Sequence, residues 1–270
     1  MSSQLAQSLK FVGLLGVLAR PVIVATILFG LWRALALARI SPRSRKLFWW
    51  ATAILVTGWL GTVWTLAARG TFESFSTVSL AFAAAIVVGA LILPVAVALI
   101  AGGMSATTRV ALDAAPLNWL VGVQVYRILG FIFLRLWSHG LLPVYFALPA
   151  GIGDMLVGVT ALPLAFALRS DSQLARRLAL GWNIFGILDL VNAVTMGITT
   201  ALAQPTSNIS PLLSYPLVLV PTFGVPLSFI LHGLSIWQLR RRVITRSAPG
   251  RGSNLQAMEA AAMLSREHLN

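Results

Sequence analysis

Seven apolar runs, each long enough to cross a membrane as a helix, constrain this chain more than any other feature. A helix needs about 20 apolar residues to cross a hydrocarbon core of about 30 Å. Only 10% of the residues are charged, against about 25% in an average soluble domain. The sequence therefore predicts an all-α, polytopic transmembrane helical bundle of about seven spans. The runs are Phe11–Leu37, Leu47–Ala68, Val78–Gly102, Leu117–Trp137, Val144–Leu168, Leu178–Leu202 and Pro216–Leu239.

The first run has uncertain limits because Arg20 and Pro21 interrupt it. It predicts either one long tilted span or an interfacial turn followed by a span that begins at Val22. No small-residue cleavage site follows the apolar stretch, so a signal peptide is not indicated.

The basic residues of the connections predict the orientation of the bundle. They follow the first, fifth and seventh runs, which lie on one side if every run spans, and Lys and Arg favour the cytoplasmic side. We therefore expect the N-terminus outside and the C-terminus inside, with a bundle over residues 1–240 and a basic, flexible cytoplasmic tail over 241–270. Much of the net charge of +13 lies in these connections and is explained by this topology. The lipid bilayer is therefore the predicted partner, and no nucleic acid is expected to bind.

A set of polar side chains lies deep within the last four runs. Ionisable groups inside a membrane are costly, so they usually face a bundle interior or a cavity. At 1.5 Å per residue, Arg127, Asp154 and Asp189 all fall near the midplane and are expected to be partners. The predicted substrate- or ion-binding residues are Gln124, Arg127, Asp154, Asn183, Asp189, Asn192 and His232.

The charges of this set leave two interpretations open. One arginine with two aspartates has a net charge of −1, which a proton, a bound cation or a protonated His232 could balance. In the functional interpretation, Asp154 and Asp189 are proton or cation sites and Arg127 is a counter-charge or anion ligand. In the structural interpretation, Arg127 and one aspartate only hold the bundle together, and the other aspartate is hydrogen-bonded to asparagine.

Glycine and proline residues cluster next to these charges. Pro149, Gly151 and Gly153 precede Asp154, and further prolines interrupt the last run. Broken spans beside buried charge predict a binding site, although kinked packing gives the same pattern.

Two short motifs of the sequence are similar to each other. Gly-Ile-Gly-Asp154 and Gly-Ile-Leu-Asp189 are related by an offset of 35 residues, which chance or an internal repeat could produce.

Several familiar chemistries lack their residues in this sequence. The only lysines, Lys10 and Lys46, lie outside the last run, where a retinal Schiff base would need one. Three histidines, one of them in the tail, are too few for bis-histidine haem or a multi-histidine zinc site. The chain has no cysteine. No cofactor and no metal are predicted.

The second half of the chain carries the residues of a resemblance. They are Gln124-Val-Tyr-Arg127, Leu142-Pro143, Phe146-Ala-Leu-Pro-Ala-Gly-Ile-Gly-Asp154, Trp182-Asn183 and Gly186-Ile-Leu-Asp189. This stretch resembles a group of uncharacterised bacterial polytopic integral membrane proteins with no known activity. The resemblance implies a multi-pass protein of the bacterial inner membrane and implies nothing about mechanism.

Three functions remain as hypotheses. The first is a small-solute or proton/ion-coupled transporter with a midplane polar site in spans four to seven. The second is a membrane-embedded lipid- or quinone-binding or assembly protein whose polar cluster is structural. The third, an intramembrane enzyme with aspartate and His232 as acid–base groups, has the least support.

Overall fold

The chain is almost entirely helical. The computed structural model describes residues 3–38, 40–73, 80–104, 106–170, 172–203 and 210–247, and these ranges contain no strand. This confirms the predicted all-α bundle. The helices are α1 (Ser3–Leu37), α2 (Pro42–Ala68), α3 (Leu80–Met104), α4 (Ala106–Asp113), α5 (Leu117–Ser138), α6 (Val144–Ala167), α7 (Gln173–Ala203) and α8 (Val225–Ser247).

Within the described ranges, six helices are long and apolar enough to cross a membrane. They are α1, α2, α5, α6, α7 and α8, the last together with the turn that precedes it. The third predicted span corresponds to α3, which is 25 residues long and contains the apolar stretch Ala85–Ile100. The chain is thus a multi-pass membrane protein, while the count of seven and the orientation of the termini stay predictions.

Helix α1 settles the uncertain start of the bundle. It is continuous from Ser3 to Leu37 with Pro21 inside it, so the alternative of an interfacial turn before Val22 is wrong. The helix includes Arg20, whose side chain is buried. An arginine that interrupts an apolar run in the sequence therefore faces the interior of the bundle.

The glycine- and proline-rich segments behave differently in α6 and in the last span. Helix α6 runs unbroken through Pro149 and Pro163, so the break expected before Asp154 does not occur. The last span is interrupted as predicted, because a π-helical turn, Val220–Gly224, precedes α8. Helix α8 then continues to Ser247, beyond the predicted domain boundary at 240, and the rest of the predicted tail, 248–270, lies outside the described residues.

Helix α5 changes its winding twice. An α-helical turn, Leu117–Gly122, passes into the 3-10 stretch Val123–Gly130, and α-helix resumes over Phe131–Ser138. Its buried side chains contribute to three separate hydrophobic clusters of the described bundle. Helix α5 is therefore the central element against which the other helices pack.

Glycines allow α5 and α6 to approach closely. A β-carbon on Gly158 would lie 2.2 Å from the backbone nitrogen of Ile128, and one on Gly151 would lie 3.1 Å from the carbonyl oxygen of Gly130. Gly151, Asp154 and Gly158 recur at helical spacing, so they lie on the same side of α6. Small residues at such crossings are the usual way in which membrane helices pack tightly.

We expect Gly158→Ala to destabilise the protein by about 1–3 kcal/mol, because the new methyl group meets backbone, which cannot move aside. The measurement is thermal or denaturant unfolding in detergent. Gly181→Ala is the matched control, since a β-carbon there has no neighbour within 4 Å. Removing a helical glycine should leave its stability unchanged or raised, and equal behaviour of the two variants would contradict the close crossing.

Candidate functional site

Arg127 lies at the centre of a buried polar cluster between α5, α6, α7 and α8. Its Nε donates to Oδ1 of Asp154 at 2.6 Å, and its Nη2 donates to Oδ2 of Asp189 at 2.5 Å. Only 2% of the Arg127 side chain is exposed, against 7% for Asp189 and 18% for Asp154. The predicted partnership of the three charges is thus present in the structure, and one guanidinium holds both carboxylates.

The local winding and two glycines explain this arrangement. In a 3-10 helix, side chains three residues apart are eclipsed, so Gln124, Arg127 and Gly130 lie in one line, and all three are buried. A β-carbon on Gly153 would lie 1.7 Å from Oδ1 of Asp189, and one on Gly186 would lie 2.3 Å from the imidazole of His232. Both helices thus need glycine where side chains of the cluster cross them.

His232 extends the cluster on the far side of the guanidinium. Its Nε2 lies 3.0 Å from Nη1 of Arg127, and its Nδ1 lies 2.8 Å from Oδ1 of Asn183. Because a guanidinium can only donate, Nε2 accepts and the ring proton is on Nδ1, which donates to Asn183. The ring is therefore neutral in this arrangement, which argues against a protonated His232 as the balancing charge.

The side chain of Gln124 completes the contacts of His232. Its Nε2 lies 3.2 Å from Nδ1 of His232, and its Oε1 is buried without a partner in the described part of the chain. Two donors cannot bond to each other, and an amide can be turned by 180° without changing its shape. We therefore assign Oε1 of Gln124 to the side facing Nδ1–H, which leaves the amide nitrogen as the group without a partner.

The structure brings together six of the seven residues that the sequence predicts. Asn183 joins through His232 and also donates from Nδ2 to the carbonyl oxygen of Ala179 at 2.7 Å. Asn192, by contrast, is exposed on α7 and does not belong to the cluster. At 100° per residue, it lies on the opposite face of α7 from Asn183, which is the physical reason that the cluster does not include it.

Two cavities meet at Asp154. One, of about 110 Å³, is lined almost wholly by apolar side chains, and Asp154 is the one ionisable group among the described residues around it. The other, of about 80 Å³, also has a mostly apolar wall, and we call it the polar cavity because Arg127, Tyr126 and Ser228 line it as well as Asp154. Tyr126 and Ser228 are joined by a hydrogen bond of 2.6 Å between their hydroxyl groups.

Arg20 also lines the polar cavity, and it is the main site residue that the sequence reasoning missed. Its Nη1 donates to the carbonyl oxygen of Gly16 and its Nη2 to that of Pro216 at 3.4 Å. Within the described ranges, no carboxylate forms an ion pair with it. With Arg20 included, two cations face two carboxylates, so the formal charge of the site is zero. The signal was in the sequence, as an arginine inside an apolar run.

The charged groups of the cluster differ in their access to the two cavities. Among the described residues, no group of three histidine, aspartate or glutamate side chains could hold a metal ion. Asp154 combines a charge partner with access to two cavities, whereas Gln124, Asn183 and His232 are fully buried. The site thus has an accessible side at Asp154 and a closed side at His232.

A family model described as a domain of unknown function, DUF8737, matches residues 83–240, which is more than half of the chain. The chain belongs to the DUF8737 family. No curated protein and no solved structure matches it. The family, together with the apolar helical bundle, fits an integral membrane protein of unknown activity.

The DUF8737 region contains the whole buried cluster, from Gln124 to His232. Arg20 and the helices α1 and α2 lie outside it. The family region thus supplies the two ion pairs of Arg127, and the helices that precede it add one further buried cation to the same cavity.

We expect Arg127→Met to destabilise the protein by about 3–5 kcal/mol, because two buried carboxylates lose their charge partner. Adding Asp154→Asn and Asp189→Asn to that variant should recover part of the loss, since the uncompensated charges are removed. Unfolding in detergent measures both effects. Arg135→Met is the control on the same helix, because Arg135 is exposed, and a comparable loss in that control would contradict the argument.

Proposed function

We propose that this chain is a transporter of the bacterial inner membrane that couples the movement of a small anionic solute to a proton. The observation that carries the proposal is the position of Asp154. This carboxylate holds the central guanidinium and also lines both cavities of the site. A proton carrier needs such a position, where its charge has a partner inside the protein and its proton has a route in and out.

The two aspartates have different roles in this proposal. The side chain of Asp154 is 18% exposed and that of Asp189 is 7% exposed. Asp189 also crosses α6 at Gly153, where no β-carbon would fit. Asp154 is therefore the proton site, and Asp189 is the fixed counter-charge that keeps Arg127 in place.

Charge balance links the proton to an anion. With Arg20, Arg127, Asp154 and Asp189 all ionised, the site is neutral. When Asp154 binds a proton, the charge becomes +1 and the acceptor of Arg127 Nε is a neutral carboxyl group in place of a carboxylate. A solute with a carboxylate or a similar anionic group would restore both the charge balance and a charge-assisted hydrogen bond to the guanidinium. Arg20 supports this step, because its guanidinium faces the same cavity without a carboxylate partner in the described bundle.

A route towards the other end of the bundle follows α8. Ser235 and Gln238 come at steps of three residues after His232, and both are buried. The hydroxyl oxygen of Ser235 has no hydrogen-bond partner among the groups that the structure describes. A buried polar group of this kind commonly binds a water molecule. A rearrangement of hydrogen bonds at His232 would thus link the central cluster to the end of the bundle at which Arg241 forms an ion pair with Asp113.

The larger of the two cavities at Asp154 favours a second candidate function, that of a protein that binds a quinone or a lipid. Its walls are apolar side chains such as Phe133, Phe146 and Leu190, with Asp154 at one point. Apolar pockets with one polar group suit a ring with a single hydrogen-bonding head. In that case the ion pairs would position Asp154 as the group that binds the head, and no proton would be transported.

We expect Asp154→Asn to leave the protein folded and to abolish proton movement, because the amide keeps the shape but cannot carry the proton. The measurement is proton uptake into proteoliposomes that contain pyranine, driven by an inward gradient of lactate as the probe anion, with potassium and valinomycin holding the membrane potential at zero and protein-free liposomes as the background. Asp189→Asn should instead lower the unfolding temperature in detergent, because it weakens the anchor of Arg127.

Asn192→Ala is the matched control, since Asn192 lies outside the cluster, and it should transport like the unaltered protein. Equal proton uptake by the unaltered protein and by stable Asp154→Asn would refute the transporter. Retention of a quinone by the purified protein, lost in Asp154→Asn, would then support the second candidate.

A further inference from the structure

A groove between α1 and α2 lies outside the central cluster and outside the family region. It has a volume of about 790 Å³, within the range of about 300–1,000 Å³ that is usual for small-molecule sites. One wall comes from the second half of α1, including Phe29 and Trp32, and the other from the first turns of α2, including Arg45 and Lys46. Polar and apolar parts of the groove are therefore separated along its length.

The polar end of the groove has an excess of positive charge. Arg43, Arg45 and Lys46 fall in the first turns of α2, and that helix has no acidic residue in its first turn. Cations are unfavourable at a helix N-terminus, where the partial charge of the helix is already positive. The Nε of Arg45 is buried and has no hydrogen-bond partner among the described residues. An anion at this end would offset the repulsion and accept the unused hydrogen bond.

The apolar end of the groove has the length of one membrane leaflet. It extends along α1 from Leu35 to Ala25, which at 1.5 Å per residue is about 15 Å. That distance is half of a hydrocarbon core of about 30 Å. Phe29 and Trp32 line this part and are more than half exposed, so an acyl chain can lie against them.

Tryptophans mark the level between the two ends. Trp32, Trp49 and Trp50 all line the groove, and tryptophan is enriched where hydrocarbon meets the head groups. The Nε1 of Trp49 donates to the carbonyl oxygen of Leu28 at 3.1 Å, which fixes one indole across the two helices. The groove thus has cations, an indole belt and an apolar channel in the order of a phospholipid's phosphate, glycerol and acyl chain.

We propose that the α1–α2 groove is a binding site for one anionic phospholipid, with its phosphate between Arg45 and Lys46 and an acyl chain along Phe29 and Leu28. This site is independent of the transport proposed for Asp154. A lipid bound here would anchor α1 and α2, which lie outside the family region, to the leaflet on the side where these two helices are connected.

The test is native mass spectrometry of the purified chain in detergent with added phosphatidylglycerol or phosphatidylcholine. We expect one phosphatidylglycerol to be retained and phosphatidylcholine to be lost. The double variant Arg45→Gln/Lys46→Gln should bind phosphatidylglycerol about 25-fold more weakly, which is about fivefold per cation. Arg176→Gln/Arg177→Gln removes two cations from the start of α7 and should bind like the unaltered chain.

Trp32→Ala is a second variant that leaves every charge in place, and it should weaken binding through the apolar wall alone. The proposal is overturned if both lipids bind equally, or if the two double variants lose the lipid to the same extent. It is also overturned if inorganic phosphate at millimolar concentration displaces the lipid, since the site would then recognise a free anion.

Discussion

The guanidinium of Arg127 is the group on which the arrangement of α5 to α8 depends. A charge this deep in a membrane protein costs several kcal/mol unless it is paired, and here it is paired with Asp154 at Nε and with Asp189 at Nη2. Its remaining donors reach His232 and the carbonyl oxygen of Gly186. Four helices are thereby held in one relative position, because moving any of them would leave a buried polar group without a partner.

The glycines of α6 and α7 allow the helices to come close enough for these ion pairs to form. A short distance between a guanidinium and two carboxylates requires that the helices which carry them lie close together. Gly153 and Gly158 remove the β-carbons that would keep Asp189 and the backbone of α5 away. Residues that look like helix breakers in the sequence therefore act as contact surfaces, and α6 remains continuous through them.

The sequence was sufficient for the helices and for the grouping of the charges, and the reason is energetic. Long apolar runs have few alternatives in a membrane, and buried charges of opposite sign must find each other. The side of a helix on which a residue lies was harder to predict, as Asn192 and Arg20 illustrate. Asn192 is exposed, whereas Arg20 turns into the polar cavity. Both outcomes depend on how whole helices are rotated against one another, which depends on packing between distant residues.

The 3-10 stretch of α5 also has a consequence for the geometry of the helix as a whole. A 3-10 turn advances about 120° and 2.0 Å per residue, compared with about 100° and 1.5 Å in an α-helix. Over the eight residues Val123–Gly130, the difference amounts to about 160° of rotation and about 4 Å of length. Compared with an unbroken α-helix, one end of α5 is therefore turned by nearly half a revolution relative to the other end. Any rewinding of the stretch would therefore turn the part of the bundle packed on one end of α5 relative to the part packed on the other end.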